Sequence, residues 1–162
     1  MTTNEQISAD DPSRPDVQAL LLRHREFALG QTPPEHSFAL DVDGLLDPVI
    51  TLVSFRADGG LLGIGAIKRL DSSHAEIKSM HTAGAARGRG IGRAILSHLL
   101  AVARSEGLRR VSLETGTTSG FAPARALYGS AGFVPCGPFG DYRPSQDNCF
   151  MTIELTDEGV PG

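Results

Sequence analysis

Glycine and arginine alternate in one short segment, residues 87–93, which read Arg-Gly-Arg-Gly-Ile-Gly-Arg. Glycine lets the backbone turn sharply and approach a ligand closely, and arginine supplies positive charge and paired hydrogen-bond donors. An apolar helical pattern follows, and the first N–H groups of a helix attract anions. The segment therefore predicts a diphosphate site made of Arg87, Gly88, Arg89, Gly90, Ile91, Gly92 and Arg93.

Two other kinds of phosphate-binding loop fit this segment poorly. A P-loop ends in Gly-Lys-Ser/Thr, whereas this segment ends in Gly92-Arg93-Ala94. A dinucleotide-binding fingerprint follows the first strand of a parallel sheet, whereas hairpin-like strands precede this segment. A nucleoside triphosphatase and a dehydrogenase are therefore disfavoured, and a plain glycine-rich turn with exposed arginines stays as the alternative.

The elements that must position this loop predict a mixed sheet. Three strand-like runs before it are joined by short turns, which require antiparallel neighbours: residues 50–55, 61–70 and 75–82. An amphipathic helix at 90–106 then leads to a strand at 111–115, and such a crossover makes strands 75–82 and 111–115 parallel. The remaining predicted elements are helices at 16–29 and 122–131 and a strand at 148–155. The predicted fold class is α/β (α+β), with a mixed, mostly antiparallel central sheet, a βαβ crossover and flanking helices.

Composition sets the class of protein. The 162 residues are 40% hydrophobic and 21% charged, which suits one globular domain. We expect this domain at residues 15–158, after a disordered tail at 1–14. A net charge of −4 disfavours nucleic-acid binding. No apolar stretch predicts a membrane span or a signal peptide. Cys136 and Cys149 are expected to be free thiols, and the histidines show no metal-binding spacing. These features favour a cytoplasmic protein without a metal site.

Several short motifs resemble the GNAT acyltransferase superfamily over residues 50–155. In the family's order, they are Glu76-Ile77, Arg87-x-x-Gly90-x-Gly92, Ala126-Leu127-Tyr128 and Gly132-Phe133. Within the superfamily, the chain is similar to small single-domain bacterial acetyltransferases. The resemblance implies a GNAT-like fold and an enzyme that moves an acetyl group from acetyl-CoA, as co-substrate, to a primary amine of a small molecule by direct attack.

The resemblance also implies where the coenzyme lies. Strands 75–82 and 111–115 are expected to splay apart, with the pantetheine arm of acetyl-CoA between them. Its amides would pair with the backbone of Met80, His81 and Thr82, as an added strand does. The pyrophosphate would lie on the N–H groups of residues 87–93.

The same resemblance implies the catalytic residues. Tyr128 matches the family's tyrosine, the expected general acid for the departing thiolate, and Glu76 is the candidate general base, directly or through water. The alternatives are a core tyrosine with a satisfied hydroxyl and, for Glu76, a surface strand glutamate or one paired with an arginine. Glu114 is a rival base, and His81 is either a proton shuttle or a structural residue. Phe121 stands where many family members carry a coenzyme-contacting asparagine, so that contact is not expected here.

The acceptor is the least specified part of the prediction. Its binding site is expected from the first helix, residues 31–48 and residues 137–147. An acidic set there would favour a cationic amine, namely Glu35, Asp41, Asp43, Asp47, Asp141 and Asp147. A second set could hold a carboxylate instead, namely Arg125, Tyr142 and Arg143. The alternatives to a small-molecule enzyme are a catalytically silent acyl-CoA-binding module and a protein (Nα or lysine) acetyltransferase. The sequence does not determine the oligomeric state, and a homodimer that pairs through an edge strand stays open.

Overall fold

The computed structural model describes residues 5–31, 42–86, 88–140 and 142–155. Seven strands form one sheet: β1 (Glu5–Ala9), β2 (Ile50–Ala57), β3 (Gly60–Arg69), β4 (His74–Thr82), β5 (Arg110–Gly116), β6 (Val134–Cys136) and β7 (Asn148–Glu154). The helices are α1 (Pro15–Gln31), α2 (Val42–Leu45), α3 (Ile91–Ser105) and α4 (Ala122–Ser130), with short 3₁₀ turns at Gly84–Ala86 and Ser119–Phe121. None of the helices in these ranges is long and apolar enough to cross a membrane.

The strand order is β1-β2-β3-β4-β5-β7-β6. Only β4 and β5 pair in parallel, with α3 as the crossover between them, and the other recorded pairs are antiparallel. This arrangement confirms the predicted mixed, mostly antiparallel sheet with flanking helices. The boundaries of the predicted elements differ from the observed ones by at most two residues.

The sheet is covered on both faces, because its strands alternate apolar residues between two cores. On one face, the apolar stripe of α3, which includes Ile95 and Leu99, packs on Ile77 and Leu113. On the other face, α1 buries an apolar stripe against β2 and β3, in a cluster made of Val17, Leu20, Leu21, Leu45, Leu52, Ile64 and Ala66. Burial of these side chains fixes both helices relative to the end of β4.

A β-bulge interrupts β4 near its end. Ala66 pairs with Lys78 and Ile64 pairs with His81, so Ser79 and Met80 both lie opposite one residue of β3. Ser79 has a φ of 57°, in the left-handed region that a bulge can impose. Strict alternation along residues 75–82 predicts Met80 on the face of Glu76 and Lys78. The structure contradicts this prediction, because the extra residue turns Met80 toward the α3 core and His81 toward α1.

The predicted splay between β4 and β5 corresponds to the end of their ladder. Their recorded pairs run from His74↔Arg110 to Ile77↔Leu113 and stop there. β5 continues beside β7 as far as Gly116, whereas β4 continues beside β3 as far as Thr82. β4 and β5 therefore stop pairing after Ile77 and Leu113. The second half of β4, next to the loop that enters α3, pairs with β3 but not with β5.

The N-terminal segment differs from its prediction. Residues 1–4 lie outside the described part of the chain, but Glu5–Ala9 forms β1, antiparallel to β2. Asp10 then accepts hydrogen bonds from Ser54 Oγ at 2.5 Å and Arg56 Nε at 3.0 Å. The disordered tail predicted at 1–14 is therefore wrong for residues 5–14. β1 is held by backbone pairing to β2, by Ile7 at the edge of the core and by the Asp10–Arg56 ion pair after the strand, and one apolar residue makes no alternating pattern in the sequence.

Candidate active site

A cavity of about 800 Å³ lies where the end of β4, the loop into α3, α4 and one side of α1 meet. Most residues predicted to bind the coenzyme line it: Met80, His81, Thr82, Gly88, Gly90, Ile91, Gly92 and Arg93. Arg87 lies outside the described residues, and Arg89 is exposed and does not contribute to the lining. The tertiary structure thus brings the glycine loop and the end of β4 to one space.

The backbone of the glycine loop has the geometry of an anion-binding helix start. Gly88 and Gly90 have φ values of 80° and 78°, which L side chains rarely adopt. Gly90 caps α3 without a side-chain hydrogen bond, so no side chain covers the first N–H groups of the helix. Arg93 lies in the first turn and reaches Ser130 Oγ of α4 at 3.2 Å. The positive end of the α3 dipole, the first N–H groups of α3 and the Arg93 guanidinium therefore all lie at the wall of the cavity.

Gly92 sets the spacing between α3 and α4. A Cβ at this position would lie 3.2 Å from Leu127 Cδ2 and 3.8 Å from Thr82 Oγ1. Gly92, Leu127 and Thr82 all line the cavity, so a side chain at position 92 would crowd that wall and push Leu127 aside by a few tenths of an ångström. The loop therefore needs glycine at position 92 because Leu127 lies close, and at position 90 because the backbone is left-handed.

Tyr128 forms a buried part of the cavity wall. Its residue is 6% exposed, and its ring packs against Phe133 with centroids 5.9 Å apart. Burial, and to a smaller degree the charge of Glu114, raises the pKa of the Tyr128 phenol above its usual value. The hydroxyl therefore stays protonated at physiological pH and can donate a hydrogen bond into the cavity.

Two histidines meet at the α1 side of the cavity. His24 Nδ1 of α1 lies 3.3 Å from His81 Nδ1 of β4, and both rings line the cavity. Burial, with a smaller contribution from His81, lowers the pKa of His24 to about 4. His24 is therefore neutral at neutral pH. Sequence reasoning gave no role to His24; the available signal was a polar side chain within the buried stripe of Leu20 and Leu21.

Glu76 lies outside the lining of this cavity. Its residue is 4% exposed, and its carboxylate accepts hydrogen bonds from Lys78 Nζ at 3.1 Å and from the Tyr142 hydroxyl. Lys78 Nζ also donates to the Tyr142 oxygen at 2.9 Å. The three side chains form a connected triad. Glu76 is therefore buried and paired with a lysine and a tyrosine, and not exposed or paired with an arginine as the alternatives had it. The base role of Glu76 stays a prediction.

Glu114, the rival base, is also engaged. Asn148 Nδ2 donates to Glu114 Oε2 at 2.5 Å. Burial raises the pKa of the Glu114 carboxyl, Glu76 adds to the rise, and the Asn148 bond and Lys78 oppose it. Glu114 does not line the cavity either. Within the described residues, the cavity wall contains no carboxylate.

Phe121 packs against the end of β5 and across to α1. A side chain on Gly116 would overlap the Phe121 ring, and Phe27 of α1 meets that ring edge-on with centroids 5.2 Å apart. Both phenylalanines line the cavity. Sequence reasoning missed Phe27, and a glycine at the end of β5 was the signal for the close approach of Phe121.

The structure describes only some of the residues that were predicted to recognise the acceptor. Glu35, Asp41 and Asp141 lie outside the described residues. Arg125 Nη1 donates to the carbonyl oxygens of Gly116 at 2.6 Å and Thr118 at 2.9 Å, so it ties the end of β5 to α4. No group of three or more possible metal ligands occurs in the described residues.

Comparisons with known proteins agree with this geometry. The uncharacterized N-acetyltransferase YedL of Escherichia coli is 46% identical over 149 residues, 92% of this chain and 94% of that protein. An IAA acetyltransferase of Azospirillum brasilense is 34% identical over 154 residues, 94% of this chain and 99% of that protein.

Solved structures share the fold. A chain from Klebsiella pneumoniae assigned to the acyl-CoA N-acyltransferases superposes with a TM-score of 0.76 at 25% identity, over 94% of this chain and 98% of that one. The yncA protein of Salmonella typhimurium, solved with its cofactor acetyl-CoA, has a TM-score of 0.70 at 20% identity, with 98% of both chains covered. The model of the acetyltransferase (GNAT) family matches residues 15–133. The chain therefore belongs to the GNAT family and is an acetyl-CoA-dependent N-acetyltransferase.

Proposed function

We propose that this enzyme transfers the acetyl group of acetyl-CoA to a primary amine of a small molecule by direct attack. The proposal depends on one observation: three features line the same cavity. They are the glycine loop at Gly88 and Gly90, the end of β4 that does not pair with β5, and the buried Tyr128. A diphosphate, a pantetheine arm and a thioester sulfur require these three features in this order along one ligand.

The described residues fit acetyl-CoA. Gly88, Gly90 and the first turn of α3 suit the diphosphate, since their N–H groups and Arg93 supply positive potential. The backbone of Met80–Thr82 has no ladder with β5, so it is available to pair with the amides of the pantetheine arm. When bound, the thioester supplies the activated acetyl group.

The chain's own residues then handle the protons. The amine nitrogen forms a bond to the acetyl carbon, and the carbon–sulfur bond breaks with its electron pair on sulfur. Tyr128, whose burial keeps it protonated, donates to that sulfur. Glu76 can act as the base only through water, since Lys78 and Tyr142 occupy its carboxylate outside the cavity wall.

Two features favour a small acceptor over a polypeptide. Phe27 and Phe121 touch across the α1 side of the cavity, which narrows the space that an acceptor must pass. The relative from Azospirillum brasilense is named for acetylation of IAA. A protein acetyltransferase needs room for an extended chain, and this contact reduces it.

The test is a panel of primary amines incubated with acetyl-CoA, with CoA release read by a thiol reagent. The panel includes amino acids, polyamines, arylalkylamines, a lysine peptide and a peptide with a free N-terminus. Enzyme alone corrects for Cys136 and Cys149. Release with a small amine is the expected result. Release with the peptides alone would indicate a protein acetyltransferase, and tight acetyl-CoA binding without release would indicate a silent binding module.

A further inference from the structure

We infer that the amine acceptor of this enzyme carries an aromatic ring, joined to its primary amino group by a short alkyl arm. This inference rests on the proposed function and names the substrate class of the same site. It depends on four ring-bearing residues that line the α1 side of the cavity and form a ring set: His24, Phe27, His81 and Phe121.

The ring set comes from three separate parts of the fold. His24 and Phe27 are three positions apart on α1, a spacing that puts both on one side of the helix. His81 belongs to β4, and Phe121 ends the 3₁₀ turn before α4. The rings meet in two pairs, with centroids 5.1 Å apart for His24 and His81 and 5.2 Å apart for Phe27 and Phe121. Tertiary packing therefore gathers aromatic surface on one side of the cavity.

The two phenylalanines are not needed to attach α1 to the sheet. The cluster that holds α1 contains Val17, Leu20 and Leu21, all nearer the start of the helix. Phe27 and Phe121 are only half-buried, and both line the cavity. Part of each ring is thus left uncovered at the cavity wall, where an apolar ligand gains free energy by covering it. An aromatic ligand gains more than its area alone gives, because rings attract one another edge-on or offset.

The charges at the wall favour recognition through a ring over recognition of several positive charges. Burial, with a smaller contribution from His81, lowers the pKa of His24 to about 4, so His24 is neutral at neutral pH. Arg93, which lines the same cavity, is positive. Asp47 and Asp147, two of the acidic residues predicted to bind a cationic amine, do not line this cavity. A polyamine therefore finds less complementary charge here than an aromatic amine finds complementary surface.

The alkyl arm follows from where the reacting groups lie. The thioester sulfur is expected beside Tyr128 of α4, whereas two members of the ring set lie on α1. An amino group on a short arm can reach the acetyl carbon while its ring stays against the ring set. The amine nitrogen bonds to that carbon and loses one proton, and the C–S bond breaks with its electron pair on sulfur. The products are the N-acetyl arylalkylamine and CoA.

The test compares two amines that differ in whether their ring is aromatic, 2-phenylethylamine and 2-cyclohexylethylamine, with spermidine as a polyamine. The first two have similar size and amine basicity, so the ratio of their kcat/KM values isolates the contacts between rings. We expect kcat/KM from CoA release to be about threefold to tenfold higher for 2-phenylethylamine than for 2-cyclohexylethylamine, and lowest for spermidine.

Variants of Phe27 test whether the ring set causes this preference. Phe27→Leu should bring the ratio to about one, because leucine keeps an apolar side chain and a high helix propensity but lacks the ring. Phe27→Tyr keeps the ring and should retain the ratio. Phe55→Leu is the control, since Phe55 is a buried residue of β2 outside the cavity wall. Its Tm should fall while the ratio stays at the parental value.

The outcomes separate this inference from the proposed function. An equal or higher kcat/KM for 2-cyclohexylethylamine or spermidine would overturn the inference, while the release of CoA would still uphold the proposed function. An aromatic preference that survives in Phe27→Leu would also overturn it, because the ring set would not be its cause. If the parental enzyme binds acetyl-CoA but releases no CoA with any amine, the proposed function fails, and the inference fails with it.

Discussion

The buried pair of Glu76 and Lys78 allows a structural role and a catalytic role to be told apart. Their side chains are 5% and 10% exposed and 3.1 Å apart, and Tyr142 closes the triad. Glu76→Leu would remove the carboxylate that pairs directly with the Lys78 ammonium and leave only the charge of Glu114, which lies beyond ion-pair distance. Breaking a buried pair from one side typically costs about 3–5 kcal/mol, whereas replacing both partners by apolar residues is often nearly neutral.

The expected result is therefore non-additive. We expect Glu76→Leu and Lys78→Met each to lower the free energy of unfolding by about 3 kcal/mol, and the double variant to lose less than either. With an m-value of about 2 kcal/mol per molar urea, each single variant shifts its midpoint by about 1.5 M. Far-UV circular dichroism against urea concentration measures these shifts.

The chain contains a matched control pair. Arg69 and Glu106 are also 3.1 Å apart, but their side chains are 43% and 42% exposed. Glu106→Leu should change the free energy of unfolding by less than about 1 kcal/mol, because water screens the pair. If Glu76→Leu costs no more than Glu106→Leu, the triad does not stabilise the fold, and the carboxylate is retained for another reason, such as the predicted base role.

Two further predictions concern the site. Tyr128→Phe should lower kcat about tenfold or more in the CoA-release assay, with acetyl-CoA binding and Tm nearly unchanged, because only the hydroxyl is lost from a ring that still packs on Phe133; unchanged kcat would remove Tyr128 from the mechanism. Gly90→Glu should abolish acetyl-CoA binding in calorimetry, through backbone strain and negative charge at the helix start. Gly59→Glu is its control, since Gly59 has a similar φ of 84° in the hairpin turn between β2 and β3; equal loss of binding in both variants would mean that the effect is one of folding.

Local features of the sequence determined the fold class and the coenzyme loop. Periodicity within each segment gave the helices and most strands, because burial of one face imposes a period that a short window contains. The glycines at 88 and 90 gave the loop, since their left-handed conformation is a property of the local backbone. Two short edge strands, β1 and β6, escaped prediction because backbone pairing to a neighbour, rather than a buried apolar face, holds them in the sheet.

Tertiary structure alone decided which side chains meet. Alternation could not foresee the bulge at Ser79, because a bulge depends on the register between β3 and β4 rather than on either sequence. His24 and His81 are 57 positions apart, and Glu76 and Tyr142 are 66 positions apart. The sequence by itself therefore determined the donor of the reaction, through one continuous loop. Which side chains surround that loop depends on two long-range contacts with β4: α1 brings His24 to His81, and the chain after β6 brings Tyr142 to Glu76. No local pattern encodes such contacts.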